Sequence, residues 1–270
     1  MGSDRLALLR DRAARNAFAS ALPTTRVGRV IDYHDVIATT MERGAELIRA
    51  GTPDGTVVVA DHQTAGHGRR GRGWGYGPAG SLLGCSWLLR VDRPVAPLFA
   101  VLSAVAVLRA ARSLGVESLS VKWPNDLLLD GLKVAGVLSV SVADERGEHW
   151  LDLGTGVDVH TREHPEEVRT VVTSFARSGY DVDRLALLAQ VASELESLLD
   201  GGEAARGEAA AEWRRSSAML GRRVRIDDGT RTFEAEALDL DSDGALIVRR
   251  DGAVPERVVA GDVSVRTGLA

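Results

Sequence analysis

The 270-residue sequence predicts an α+β protein, with a larger unit of mixed strands and helices followed by a small all-β unit. Three features predict it. Up to about residue 217, short apolar runs suited to buried strands are interspersed with helical stretches. Residues 119–143 read as strand, turn, strand, turn, strand. After Ser217 the composition shifts to short β-like runs punctuated by Asp228-Gly229, Asp243-Gly244, Asp251-Gly252 and Gly261-Asp262. That is the pattern of a small barrel of about 50 residues on a short linker.

Residues 4–20 carry Leu6, Leu9, Ala13 and Ala17 at helical spacing and predict a short amphipathic helix that ends before Pro23. RVGRVIDY, 26–33, predicts a strand. Residues 40–50 predict a helix capped by Thr39 or Thr40 and stopped by Gly51 and Pro53. TVVVAD, 56–61, and SLLGCSWLLRV, 81–91, predict buried strands. The strongest helical pattern runs from Pro97 to Leu114, with Gly115 as its stop. Asp130-Gly131 marks a hairpin inside 119–143. HWLDLGTGVDV, 149–159, predicts a strand with a glycine break. Helices are expected over 183–200 and 203–217, separated by Gly201-Gly202.

Composition narrows the class of protein. Hydrophobic residues make up 44%, enough for a sizeable core, so global disorder is excluded. The net charge of −5 lacks the basic excess of a non-specific nucleic-acid binder. The single cysteine, Cys85, excludes a disulfide framework and a cysteine-rich zinc site. It fits a reducing, cytoplasmic compartment. No apolar run reaches the roughly 18 residues of a membrane span, and the charged N-terminus lacks the apolar core of a signal peptide.

Polar usage is more specific. Of 33 basic residues only two are lysines, Lys122 and Lys133, and of two asparagines one is Asn125. Arginine-favouring codon usage accounts for the general bias. An ammonium and a guanidinium are not interchangeable at a site, so lysines retained in such a chain point to a need for the ammonium itself. Residues 64–80, TAGHGRRGRGWGYGPAG, form a glycine-rich loop expected to have little order of its own. It contains G-x-G-x-x-G at Gly66, Gly68 and Gly71, but no helix follows, so a dinucleotide fold is excluded, and no Walker lysine follows either. Approachable backbone N–H groups with Arg69, Arg70 and Arg72 suit a phosphate, and Trp74 offers a face for a base. A solvated surface loop is the alternative. The second cluster is Lys122-Trp123-Pro124-Asn125-Asp126 with Lys133, which the hairpin returns to the same end. Asp126 could hold magnesium, and a plain charged turn is the alternative.

Together these segments resemble the biotin–protein ligases. VADHQTAGHGRRGRGW (59–74) is similar to that family's glycine–arginine loop, and VKWPNDLLLDGLKVAGVL (121–138) to its second signature. LDLGTGVDV (151–159) resembles its third, and VIATTME (36–42) more loosely its biotin-site segment. The final β unit, ending AGDVSVR, resembles its SH3-like C-terminal domain. The resemblance implies a class II synthetase-like catalytic domain over 26–217, a mixed sheet flanked by helices. It also implies an N-terminal helical extension over 1–25 and an SH3-like domain over 218–270. It implies formation of biotinyl-5′-AMP from biotin and MgATP, then transfer to a lysine of a biotin carboxyl carrier domain. ATP, Mg²⁺ and biotin are thus the expected ligands, with no prosthetic group.

By match, Thr39, Thr40, Met41, Gln63, His67, Gly68, Arg69 and Lys133 would serve biotin. Arg69, Arg72, Trp74, Lys122, Asn125, Asp126 and Asp158 would serve ATP, with Asp126 also the candidate metal ligand. Arg69 and Lys133 would be the catalytic pair. The loop would be mobile when empty and close over its ligands. His67 stands where the family's loop has arginine, Asp158 where it has asparagine, and Thr39-Thr40-Met41 where it has Ser-Thr-Asn. About 25 residues precede the first expected strand, too few for a winged helix-turn-helix, so no DNA partner and no membrane are expected. Monomer and homodimer both stay open. A lipoate- or octanoate-type ligase and a non-catalytic biotin-binding protein are the alternatives.

Overall fold

The structure, a computed structural model, describes residues 4–92 and 96–265. The ends of the expected N-terminal extension and of the last β unit, Arg266 included, lie outside the described residues.

Seven strands form the main sheet: β1 (Ile31–Ile37), β2 (Thr56–Gln63), β3 (Leu82–Arg90), β4 (Leu119–Lys122), β5 (Asp126–Leu129), β6 (Leu132–Ala143) and β7 (His149–Asp158). Their order is β1-β2-β3-β7-β6-β5-β4. β1 and β2 run parallel and the other neighbours antiparallel. Side chains alternate across a strand, and the two faces of this sheet are divided accordingly. Val57, Val59, Leu83, Cys85, Trp87, Leu151 and Leu153 point into the larger core, beneath α3 (Ala96–Ser113) and α4 (Arg184–Asp200). Val58, Leu88 and Trp150, of opposite parity, pack on Ile48 of α2 (Thr40–Arg49). Helix α3 is apolar almost all round because it lies between the sheet and α4 together with α5 (Gly202–Arg215).

β8 (Arg223–Asp227), β9 (Thr232–Leu240), β10 (Leu246–Arg249), β11 (Glu256–Val258) and β12 (Asp262–Val265) form a second, antiparallel sheet in the order β11-β10-β9-β8-β12. It docks on the first through Trp123, whose indole donates to the Gly244 carbonyl at 3.0 Å. The chain is thus mixed α/β with a β unit at its end, as the sequence predicts. Among the described residues no helix is long and apolar enough to cross a membrane.

Two expectations need correction. The helix expected over 4–20 is a 3-10 turn, Leu6–Arg10, followed by α1 (Arg12–Ala21). Asp11 breaks it by taking extended geometry and accepting from the Ala14 N–H, a better use of its side chain as a cap. The strand expected at 26–33 begins five residues later. The N–H groups of Thr25, Arg26 and Val27 bond instead to the carboxylate of Glu196 on α4, at 2.5–2.9 Å.

Arg184 binds the N-terminal segment to the base of the glycine loop. Its side chain is 1% exposed and pairs with Asp4 and Asp61, while Nη1 donates to the Leu82 carbonyl at 2.8 Å. Asp61 precedes the loop and Leu82 follows it, so one guanidinium joins both of its ends. Arg184→Ala takes from Asp61, 11% exposed, its close cation and unties both ends of the loop from the N-terminal segment, and urea denaturation should show a loss of roughly 3 kcal/mol. A loss below about 1 kcal/mol would mean that the group behaves as a surface ion pair.

Candidate active site

A cavity of about 330 Å³ opens on the α2 side of the sheet, between the glycine loop, the Lys122–Lys133 hairpin and β12. Its floor is bare backbone. The register sets Gly84, Gly156 and Gly136 side by side across β3, β7 and β6, and the same row continues to Asp126 and Lys122. A methyl group at Gly156 would collide with the Trp74 indole, and one at Gly84 with the Gln63 amide. Of these glycines only Gly156 lies in a stretch that the sequence reads as a strand broken by glycine. They are the positions where side chains are left out to make room.

The hairpin forms one wall. Asp130 and Gly131 both take positive φ, 50° and 82°, as a tight two-residue turn requires. The turn returns Lys133 to Asp126 at 2.6 Å, while Lys122 reaches the other carboxylate oxygen at 3.1 Å. Burial alone would raise the Asp126 acid. Its two lysines outweigh that and hold it below the usual carboxylate range. The Asn125 amide donates to the Val137 carbonyl at 2.6 Å, tying the proline turn to β6. Lys133 Nζ also lies 4.8 Å from the centre of the Trp74 ring, and the Trp74 Nε1 is buried without a partner.

The glycine loop supplies the opposite wall, and it has more order than its composition predicts. Gly68 N–H donates to the Arg72 carbonyl at 2.7 Å and Trp74 N–H to the Gly66 carbonyl at 2.9 Å, which makes a small hairpin. Arg69 donates to the Gly261 carbonyl at 2.8 Å. Asp262 on β12 faces Arg69, Arg70 and Arg72 at 3.5, 3.3 and 2.8 Å. His67 is exposed beside the Ala65 carbonyl.

On the far side, Thr39 caps α2 by accepting from the Met41 N–H. Thr40 donates from its N–H to Gln63 Oε1 at 2.8 Å, which turns the Gln63 Nε2 toward Gly84 and the cavity floor. Of the residues expected from the sequence, Thr39, Thr40, Met41, Gln63, His67, Gly68, Arg69, Arg72, Trp74, Lys122, Asn125, Asp126 and Lys133 all line this one cavity. Asp158 does not. Its carboxylate accepts from His164 Nε2 at 2.7 Å and from the Thr161 N–H at 3.3 Å, and burial raises it. The carboxyl group that the resemblance assigns to ATP faces a histidine instead. Sequence reasoning missed the glycine floor, the apolar rim of Val168, Val171 and Val172, and Asp262.

The donor set does not fit a resident metal. Both Asp126 oxygens are engaged by ammonium groups. Among the described residues no group of three histidine, cysteine or carboxylate side chains is placed to hold an ion.

Residues 33–158 match the Biotin/lipoate A/B protein ligase family, and residues 219–266 the Biotin protein ligase C terminal domain. The biotin--[acetyl-CoA-carboxylase] ligase of Mycobacterium tuberculosis is 35% identical over 243 residues, covering 85% of this chain and 87% of that one. The bifunctional ligase/repressor BirA of Bacillus subtilis is 29% identical over 250 residues, covering 90% and 76%. The biotin protein ligase of Aquifex aeolicus in complex with biotin and ATP superposes with a TM-score of 0.72 at 25% identity, covering 88% and 99%. The chain belongs to the biotin–protein ligase family.

Two predictions follow from this geometry. Gly156→Ala displaces Trp74 and should lower turnover about 100-fold, as misplaced contact groups do, with the circular dichroism spectrum unchanged. Asp262→Ala removes the carboxylate shared by the three loop arginines, so trypsin should cut the empty protein at Arg69–Arg72 several times faster. Equal cleavage would show that the hairpin alone orders the loop.

Proposed function

We propose that this cavity is where biotin and ATP meet, so that the chain activates biotin as biotinyl-5′-AMP and transfers it to a lysine of a biotin carboxyl carrier domain. The observation that carries this reading is the pair of cation sets facing each other over one glycine floor, Lys122 and Lys133 on the hairpin, Arg69 and Arg72 on the loop. In the first step a biotin carboxylate oxygen attacks the α-phosphorus, the bond to the bridging oxygen breaks and pyrophosphate leaves. Both reactants are anions, so fixed cations must screen their approach and the charge that develops on phosphorus. In the second step the carrier amine attacks the acyl carbon and AMP leaves.

In this reading Lys133 meets the biotin carboxylate and then the acyl-phosphate oxygens. Thr39, Thr40, Met41, Gln63, His67 and Gly68 surround biotin. Arg69 and Arg72 take the phosphates, and Trp74 packs on adenine. Lys122 and Asn125 serve the nucleotide, which brings its magnesium as MgATP. Asp126 acts as the anchor of both lysines. ATP phosphates must replace Asp262 on Arg69 and Arg72, so nucleotide entry and release of the loop from β12 are one event. The excluded water protects the anhydride.

The finer architecture follows the same reading, with a class II synthetase-like core over 26–217 and an SH3-like barrel for the final β unit. The net charge of −5 supports a protein without a nucleic-acid partner, and the single buried cysteine supports a cytoplasmic one.

The test is pyrophosphate release from MgATP with biotin, with and without a carrier domain, beside Lys133→Ala. Biotin-dependent release and a labelled carrier lysine are expected, both lost in the variant. Tight biotin binding without release would make the chain a binding protein. Release with lipoate or octanoate but not biotin would move it to the lipoate side of the family.

A further inference from the structure

Lys133 lies beyond the end of β7. The last pair of the β6–β7 ladder is Ala135 with Val157, so at Lys133 that edge of β6 has passed its neighbouring strand. The segment that follows β7 takes the strand's place. Lys133 N–H donates to the Val171 carbonyl at 2.9 Å, and Thr173 N–H donates back to the Lys133 carbonyl at 2.8 Å. Residues 171–173 thus prolong the sheet by a single parallel bridge, with Val172 opposite Lys133. The Asp126 bridge fixes the ammonium of this lysine, and the segment fixes the backbone from which the side chain extends.

The segment is closed on itself at the end of β7. Phe175 N–H donates to the Asp158 carbonyl at 3.1 Å and Ala176 N–H to the Val159 carbonyl at 2.8 Å, so residues 159–176 leave and return at one point. Side chains tie the interior of this loop. The Asp158 carboxylate accepts from His164 Nε2 at 2.7 Å, and the imidazole is fully buried. The Nδ1 of His164 faces Arg177 Nη1 at 3.5 Å, and the same Nη1 donates to the Arg169 and Val172 carbonyls at 3.1 Å each. Ser174 Oγ–H donates to the Thr161 carbonyl, and Thr161 N–H to the Asp158 carboxylate at 3.3 Å.

We propose that Asp158 and His164 are positioning residues for Lys133. Their pair, completed by Arg177, latches residues 159–176 so that 171–173 hold the lysine backbone in the register of the sheet. The inference rests on the reading of Lys133 as the residue that meets the biotin carboxylate. Asp158 then serves the reaction without touching a ligand, through the loop bonded to Lys133. The two partners depend on each other. A buried carboxylate without its donor and a buried imidazole without its acceptor each carry a desolvation penalty, so removing either side chain releases the other.

The test combines loop cleavage with turnover. Arg162 and Arg169 are exposed within the loop. In His164→Ala, trypsin should cut there several times faster than in the wild type, while cutting at Arg69–Arg72 stays the same. Pyrophosphate release with biotin and MgATP should fall roughly tenfold, as it does when a contact group is misplaced. His164→Gln, whose amide can donate to Asp158 in place of Nε2, should recover most of that loss. Asp158→Leu should cost about as much as His164→Ala, and the double variant no more than either, because residues in contact act as a unit. Arg177→Ala changes an exposed residue and carries the test if His164→Ala does not fold, with the same faster cleavage at Arg162 and Arg169 expected. Unchanged loop cleavage in His164→Ala would overturn the latch. Faster cleavage with turnover unchanged would overturn its hold on Lys133. Additive losses in the double variant would overturn the pairing and give Asp158 a separate role. A wild type without biotin-dependent release would overturn the reading of the cavity, and loop cleavage would still decide the latch.

Discussion

The carboxylate of Asp126 holds both of the lysines this chain possesses. A buried carboxylate with no cation would be costly, and either ammonium left alone beside the cavity would swing into solvent. The three charges fix one another. The bridge holds Lys133 of β6 against the start of β5, with its ammonium over the Trp74 ring that lies on the glycine floor. The hairpin wall of the cavity, the packing of its aromatic lining and the placement of its two lysines all depend on this one bridge.

The rest of the site is a matter of removal rather than addition. Three adjacent strands place glycine at the same level, and the sheet supplies a flat, rigid floor without side chains. Rigid strands lie below and a loop lies above, where Asp262 of β12, in the second β unit, pairs with all three loop arginines. The second β unit is therefore part of the site rather than an appendage to it.

Much of this was legible in the residues. The two lysines stand out against an arginine-rich background. Asp130-Gly131 announces the hairpin that joins them, and Thr39 announces the start of α2. What was not legible depends on partners far away in the chain. The segment at 26–30 looks like strand until Glu196 is seen to take its N–H groups. The loop looks disordered until Asp262, 190 residues on, is placed beside Arg72. Asp158 reads as a charge facing phosphate until His164 is placed against it.

The scarcity of lysine also determines the chemistry of the protein's own surface. An acyl adenylate is an electrophile toward amines, and this chain has only two ε-amino groups. Both are held against one carboxylate, that of Asp126. The bridge that aligns these two amines also engages them, so that neither is free beside the proposed intermediate. The two groups are also a built-in reporter, since an amine-directed label that marks positions 122 and 133 reads directly whether the Asp126 bridge is closed.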